Sequence, residues 1–465
     1  MTYPIASPWI HQLNEHRKND RLAGDDATDV VIVGGGIAGV CTAFFALRHT
    51  DKKIILLEAF KIAHGATGHN AGQIVSYFEH PFARLVQTYG MTLAARAQES
   101  IYYAWDLLEE IYAAAALTTP KHVFTGYAGC SSVAQILHHL KNIFYQRQAG
   151  LSIEELLVLN SSEIIQTIPS EYTGLYAAVD VMHIARVLET NDPRYIGALA
   201  SKKGCLNSAL FCEELTQWML EHYPERFKLY EHSPVTNIIL SPRSATVAVG
   251  QYMVKCKRIV LCTNGFENFK ITNAGMDIDT KFHQQIISKI GYMAAYAEPT
   301  DQPPAAISYF TTPGTSEADP YFYMTRRPYK HKQHGDIKLI SIGGPEDNLE
   351  HKGLYNKDKQ YPAQANAALD SFVRRTYGKA APTDFLFRWH GLMGYTPSGL
   401  RCIGPEPCNP VLLYNLGCNG VGILSSIYGG RRIASFLNKQ RLEISVFDPS
   451  DKHCVTRPQA VQKNA

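Results

Sequence analysis

Paired cysteines are missing from this sequence. Its ten cysteines lie at 41, 130, 205, 212, 256, 262, 402, 408, 418 and 454 and never fall as CxxC. No metal site is therefore expected, because structural zinc sites draw on closely paired ligands. Scattered thiols suit a reducing compartment better than a disulfide framework, so a cytoplasmic location is expected. The first twenty residues carry no apolar run of the secretory type. An excess of one charge is missing too. Lys and Arg number 45, Asp and Glu 42, for a net +3. That balance gives no reason to expect nucleic acid or an anionic membrane as partner. Nor is there a GxSxG elbow, a paired-carboxylate signature, an internal repeat or a low-complexity block. Hydrophobic residues make up 45% and charged residues 19%, which excludes a disordered or collagen-like chain. At 465 residues, about three-quarters of the unfolded surface can be buried.

One uncharged run, residues 30–47, reaches the minimum membrane-spanning length, but it is broken by three glycines. A dinucleotide fingerprint accounts for it better. DVVIV (29–33) reads as a buried parallel strand, GGGIAG (34–39) as a tight turn, and the following apolar stretch as a helix. A second strand, KIILL (53–57), ends at Glu58. Gly34 permits the turn, Gly36 lets backbone approach a diphosphate, and Gly39 lets the helix pack on its strand. The helix start, with Ile37 and Ala38, offers unpaired N–H groups and partial positive charge. Glu58 and Ala59 fall where a carboxylate meets ribose hydroxyls. FAD and NAD share this fold. The loop IAHGATGHNAGQ (62–73) favours FAD, because its glycines and Thr67 set many backbone donors beside the second half of a longer cofactor.

On these segments the chain resembles the D-amino acid oxidase family of FAD-dependent amine and amino acid oxidoreductases. The resemblance spans about residues 29–437, and GATGHNAGQ (65–73) is closest to the γ-glutamylputrescine oxidase branch. It implies a Rossmann-like FAD-binding domain interleaved with a mostly antiparallel substrate domain, α/β in class and α+β overall. The boundaries expected are an arm (1–28), FAD-binding segments (29–80, 151–270, 386–440), a helical segment (81–150), a substrate sheet (271–385) and a polar tail (441–465). FAD contacts are implied at Gly65, Ala66, Thr67, His69, Asn70, Ala71, Gly72 and Gln73, at Val235, and at Thr263 and Gly265 closing the strand RIVLC (258–262). A second strand–glycine–helix turn, GCNGVG (417–422), implies Gly420, Val421 and Gly422 against the flavin.

Helical periodicity predicts helices over 93–117, 133–144, 210–222, 363–377 and 424–437. Short β runs read at 234–239, 245–249 and 258–263, and the resemblance implies that the last re-enters the nucleotide sheet. Longer Tyr-rich strands at 290–296, 321–325 and 338–342 predict a mostly antiparallel sheet, which the resemblance makes the roof of a substrate site. Residues 299–320 read as a polar loop or hairpin insert and 344–361 as a polar connection.

The resemblance implies hydride removal from a carbon bearing nitrogen, with the imine then hydrolysed. His69 stands in register with the histidine that carries a covalent flavin in the dimethylglycine dehydrogenase branch, whose motif is GSTWHAAG. The oxidase branch has no such bond, and a hydrogen bond near the flavin is the competing reading. Arg326 and Arg327 offer a fork for a substrate carboxylate. Lys289 is a candidate to polarise oxygen, His390 lies in the flavin-adjacent segment, and Tyr292, Tyr321 and Tyr323 suit an amine pocket. Expected partners are a small amine or amino acid, with oxygen or a quinone as acceptor. A tRNA-base aminomethyl-modifying flavoenzyme is the alternative, and a flavin-binding sensor without turnover is a third reading.

Overall fold

In the computed structural model of the chain, the residues described are 6–14, 17, 20–273, 286–298, 302–311, 321–349, 355–356, 361–378 and 384–449. The tail expected over 441–465 lies outside them from residue 450 onward, as do residues 1–5 of the arm.

The chain opens with the expected βαβ unit: β1 (Asp26–Val33), α1 (Ile37–His49) and β2 (Ile54–Leu57). Val30–33 and all of β2 are buried, as a strand covered on both faces requires. After β3 (Gln73–Val75) come α2 (Phe82–Tyr89), α3 (Met91–Ala115), β4 (Lys121–Cys130) and α4 (Val133–Gln148). Ser132 caps α4, its hydroxyl accepting from Gln135 N–H at 3.2 Å. Next are β5 (Glu155–Leu159), α5 (Ser162–Ile165), β6 (Tyr176–Val179), α6 (Val181–Val187), β7 (Gly197–Leu206) and α7 (Ser208–His222). Asn207 caps α7, accepting from Ala209 and Leu210 N–H.

The chain then returns to the first sheet through β8 (Phe227–Tyr230), β9 (Val235–Leu240), β10 (Ala245–Val249), β11 (Tyr252–Leu261) and β12 (Lys270–Asn273). It builds the roof from β13 (Ile287–Glu298), β14 (Ala305–Phe310), β15 (Tyr321–His331) and β16 (Gly335–Leu349), with α8 (Ala363–Tyr377) behind. β17 (Phe387–Tyr395) completes the roof. β18 (Cys402–Pro405), β19 (Leu412–Leu416) and α9 (Gly422–Leu437) complete the nucleotide half.

Two sheets result. The nucleotide sheet runs β12-β9-β10-β11-β1-β2-β8, with β19 against β11 and β18 against β19. The roof runs β17-β13-β16-β15-β14-β4-β7-β5-β6, with β3 on β7. The α/β class with a parallel nucleotide core and a mostly antiparallel partner sheet is as expected. Among the described residues no helix is long and apolar enough to cross a membrane, and residues 30–47 are a strand, turn and helix.

Three expectations are corrected. Residues 151–270 do not all belong to the nucleotide half: β5, β6 and β7 join the roof, and the chain re-enters the nucleotide sheet only at β8. β17, placed with the last nucleotide segment, also pairs in the roof, against β13. The connection expected over 344–361 is shorter, because β16 runs on to Leu349, while within 299–320 the hairpin reading holds, since β14 occupies 305–310 and pairs antiparallel with β15.

Candidate active site

The glycine fingerprint forms a tight cradle at the carboxyl end of β1. Gly34 has φ +106°, and its N–H donates to the Leu57 carbonyl at 2.8 Å. A Cβ at Gly39 would lie 1.9 Å from the Gly34 carbonyl oxygen, so the close approach of α1 to β1 requires glycine there. At Gly36 a Cβ would meet the Thr67 hydroxyl at 3.0 Å. That hydroxyl also accepts from Ile37 N–H at 3.0 Å, at the start of α1 with Ala38 behind it. Glu58 ends β2 with one carboxylate oxygen taking Gly35 N–H at 2.6 Å and the other taking Phe60 N–H at 2.8 Å, and Ala59 between is exposed. Burial raises the Glu58 carboxyl and these two N–H groups lower it, with the rise prevailing. Ser233 N–H donates to the Glu58 carbonyl at 2.9 Å, which brings Val235 beside the end of β2.

The loop after β2 is pinned at both ends. His69 Nδ1 lies 2.9 Å from the Gly65 carbonyl across the turn Ala66–Gly68. The Asn70 amide donates to Thr67 O and Ser208 Oγ, and its oxygen accepts from Gly72 N–H at 2.7 Å. Ala71 lies between, and Gly72 takes φ +70° under Trp9. Gln73 opens β3 and donates to the Met324 carbonyl at 3.0 Å, tying the loop to the roof.

Thr263 and Gly265 close β11. Asn264 between them accepts from Cys418 N–H at 2.7 Å, which docks the second glycine turn. Gly420, Val421 and Gly422 then start α9. That helix packs so closely on α1 that a Cβ at Gly430 would lie 2.9 Å from the Cys41 carbonyl carbon. Most of the cofactor residues read from sequence thus follow the carboxyl ends of β1, β2, β11 and β19, where open α/β sheets bind ligands, while Gln73 opens β3 and Val235 opens β9. Their glycine cradle and helix N-termini fit a dinucleotide diphosphate.

The roof has two faces, and strand alternation sorts its side chains between them. Met293, Ala295, Phe387 and Trp389 point toward the nucleotide half and share its core with Trp9 and α1. Ala294, Tyr296, Met324, Ile340 and Ile342 point outward and pack on Leu369, Phe372 and Val373 of α8.

Two of the three catalytic candidates stand on the outer face. His390 pairs with Tyr292 in register, and its Nδ1 lies 3.0 Å from the Tyr355 hydroxyl. Tyr292 bonds Asp347 at 2.8 Å and faces the same way, away from the amine pocket expected of it. Arg326 is 1% exposed, and its fork is filled by Glu189, with two 2.6 Å hydrogen bonds. Its Nε donates to Pro303 O at 2.7 Å. No fork remains there for a substrate carboxylate.

Lys289 does face the cofactor side, opposite Met393. It pairs with Glu346 at 3.1 Å and lies 4.9 Å over the Tyr395 ring. Tyr321 and Tyr323 share that face, their rings 5.8 Å apart. Two residues not singled out from sequence complete the group. A Cβ at Gly420 would meet Glu79 Oε1 at 2.8 Å and the Tyr395 hydroxyl at 3.1 Å. Both therefore stand against the start of α9. Tyr395 was within reach of sequence reasoning, since it continues the 389, 391, 393 alternation. Glu79 lies in a loop with no local signal. Burial and the nearby carboxylates hold the Tyr323 and Tyr395 phenols well above their ordinary range, so both remain hydrogen-bond donors. Among the described residues no cluster of His, Cys, Asp or Glu is arranged to hold a metal ion.

The family model described as FAD dependent oxidoreductase matches residues 29–436. The gamma-glutamylputrescine oxidoreductase of Escherichia coli is 28% identical over 110 residues, 24% of this chain and 26% of that protein. A putative Rieske 2Fe-2S iron-sulfur protein of Bacillus subtilis is 22% identical over 63% of this chain and 52% of its own length. The matches thus span between a quarter and about half of these curated relatives. Among solved structures, glycine oxidase from Bacillus cereus superposes with a TM-score of 0.63 at 17% identity, over 89% of this chain and 96% of that one. L-proline dehydrogenase from P. horikoshii gives 0.67 at 16% identity, over 91% and 97%. At these identities the superpositions establish a shared fold.

Proposed function

The chain belongs to the FAD-dependent oxidoreductase family, and on that premise we propose that it oxidises the C–N bond of a small amine or amino acid. One observation carries this reading. Tyr321, Tyr323, Tyr395, Glu79 and the Lys289–Glu346 pair gather on the cofactor side of the roof, against the start of α9.

FAD, when bound, supplies a two-electron acceptor for hydride from the carbon bearing nitrogen. The cradle of Gly34, Gly36 and Gly39, Glu58, the loop Gly65–73 and Gly420–422 would hold it. The remaining work falls to this chain's side chains. Glu79 and Glu346 attract a cationic amine, and the tyrosine faces pack on it and exclude water. A neutral amine is needed for hydride loss, so the ammonium proton must leave. Glu79 stands within the group as an acceptor for it. Lys289 adds a positive charge on the same face, where it favours reduction of oxygen as the electron acceptor. A quinone is the competing acceptor.

The test is anaerobic. Candidate polyamines, N-methyl amino acids and D-amino acids are added to the yellow protein and the visible flavin band is followed, with peroxide measured in air. Bleaching by one of these classes supports the proposal. Bleaching by tRNA alone would transfer the assignment to base modification, and protein that cannot be loaded with FAD would refute it.

A further inference from the structure

The roof contains a gap. β14 begins at Ala305, opposite Arg326, so the hairpin of β15 and β16 extends beyond it with no paired strand on that side among the described residues. Across the opening lie the start of β4 at Lys121 and His122 and the end of β7 at Cys205 and Leu206. The space between is a cavity of about 1130 Å³, lined by Arg327, His122, His331 and Lys338 and by Glu298 and Asp336, among others.

Arg327 is the unusual member. It is 6% exposed, yet no carboxylate among the described residues pairs with it. Its two terminal nitrogens reach one neutral acceptor, Gln12 Oε1, at 3.4 and 3.3 Å, and its Nε has no partner at all. The guanidinium carbon lies 4.1 Å from the centre of the Trp9 ring and 5.0 Å from that of Tyr329. These contacts hold the fork and leave its Nε–H unmet. The neighbouring Arg326 bonds Glu189 bidentately and shows how the same side chain is ordinarily satisfied. A buried cation held by one neutral oxygen carries a large desolvation cost, which an anion offsets. His122 is next to it: Arg327 and Lys338 add to burial in holding its imidazole neutral, which places all three in one positive field. Glu298 also lines the cavity, where it stands across from Lys338 in register, and its carboxylate lies 3.6 Å from Arg326.

We propose that this gap is an anion site, in which a carboxylate or phosphate group of a small ligand sits on the donor edge of Arg327 with His122 beside it. The site is separate from the tyrosine–carboxylate group described above. Tyr321 opens β15 and Arg327 lies six residues further along it on the same face. It needs nothing from the proposed reaction, and its occupancy can be read without turnover.

The experiment uses the FAD-saturated protein, so that the diphosphate cradle is already filled. Inorganic phosphate and succinate are titrated separately against sodium chloride of equal ionic strength, with melting temperature and equilibrium dialysis as readouts. The expected result is saturable binding of one of them, beyond the chloride control, that weakens about tenfold or more in Arg327→Gln, the loss of a charged hydrogen bond. Preference for phosphate or for succinate assigns the ligand's head group. His122→Gln weakens binding by a smaller factor, and it decides the matter if Arg327→Gln does not fold. Absence of saturation in the wild-type protein, or equal affinity in the variants that fold, overturns the proposal.

Discussion

At the scale of single residues, glycines decide whether the cofactor fits. A valine at Gly36 would push branched carbon beyond the 3.0 Å at which even a Cβ meets Thr67. Gly36→Val is therefore expected to purify folded by circular dichroism but colourless, with no flavin released on denaturation. Gly39→Ala is expected to cost about 3 kcal/mol of stability in denaturant melts, because its neighbour at 1.9 Å is a backbone carbonyl that cannot rotate away. His69 Nδ1 is engaged with the Gly65 carbonyl. We expect a non-covalent flavin: acid precipitation should leave a colourless pellet and a yellow supernatant, whereas a yellow pellet that turns colourless in His69→Ala would establish a bond through His69. Glu79→Gln is expected to raise KM for a cationic amine about tenfold with the flavin still bound, the loss of one charge-assisted contact.

At the scale of elements, the alternation of β13, β15 and β17 divides function from support. His390→Phe is expected to lower stability by about 1–2 kcal/mol through loss of its bond to Tyr355, and to leave the rate of flavin reduction unchanged. Gly391→Ala, one residue away on the other face, drives a methyl to 2.3 Å from the His69 carbonyl and should disturb flavin binding itself. This distinction was not readable in the sequence. FRWHGLMGY (387–395) and YFYMTRRPY (321–329) are buried on both faces, so no apolar–polar rhythm marks which side is which. The Arg326 fork finds its carboxylate at Glu189, 137 positions earlier, and nothing local announces that pairing. Helices fared otherwise. The helices predicted over 93–117 and 133–144 are found as α3 and α4, because a helix face is written in neighbours three and four apart. The fingerprint at 29–58 was legible for the same reason: its strand, turn and helix are contiguous.

At the scale of the molecule, one electrostatically linked pair, buried Lys203 and half-buried Glu154, links stability to pH. Lys203, under Gly126, donates to Tyr127 O at 3.2 Å and to Ser308 Oγ at 3.4 Å. Burial pushes its ammonium down to about 8 and the Glu154 carboxyl up to about 7, each partly offset by the other. Because the folded carboxyl holds its proton above the unfolded value of 4.5, the folded state binds more protons between 4.5 and about 7. Stability from this group is present below that window and is lost as pH rises through it. The melting temperature of wild type relative to Glu154→Gln should fall across the interval, by no more than about 3 kcal/mol in equivalent terms. A difference that is flat with pH would show that Glu154 titrates normally.

The docking of α9 on α1 also has a consequence for biosynthesis. The glycines at 34–39 leave the ribosome long before their complement at 420–422, and Gly430 must still settle against Cys41. During most of translation the cradle is a half-site, and β11 lacks its neighbour β19. Cofactor capture is therefore expected only once residues 402–437 have been made. A nascent chain arrested before residue 402 should retain no flavin, whereas release of the full chain into FAD should fix the nucleotide half at once.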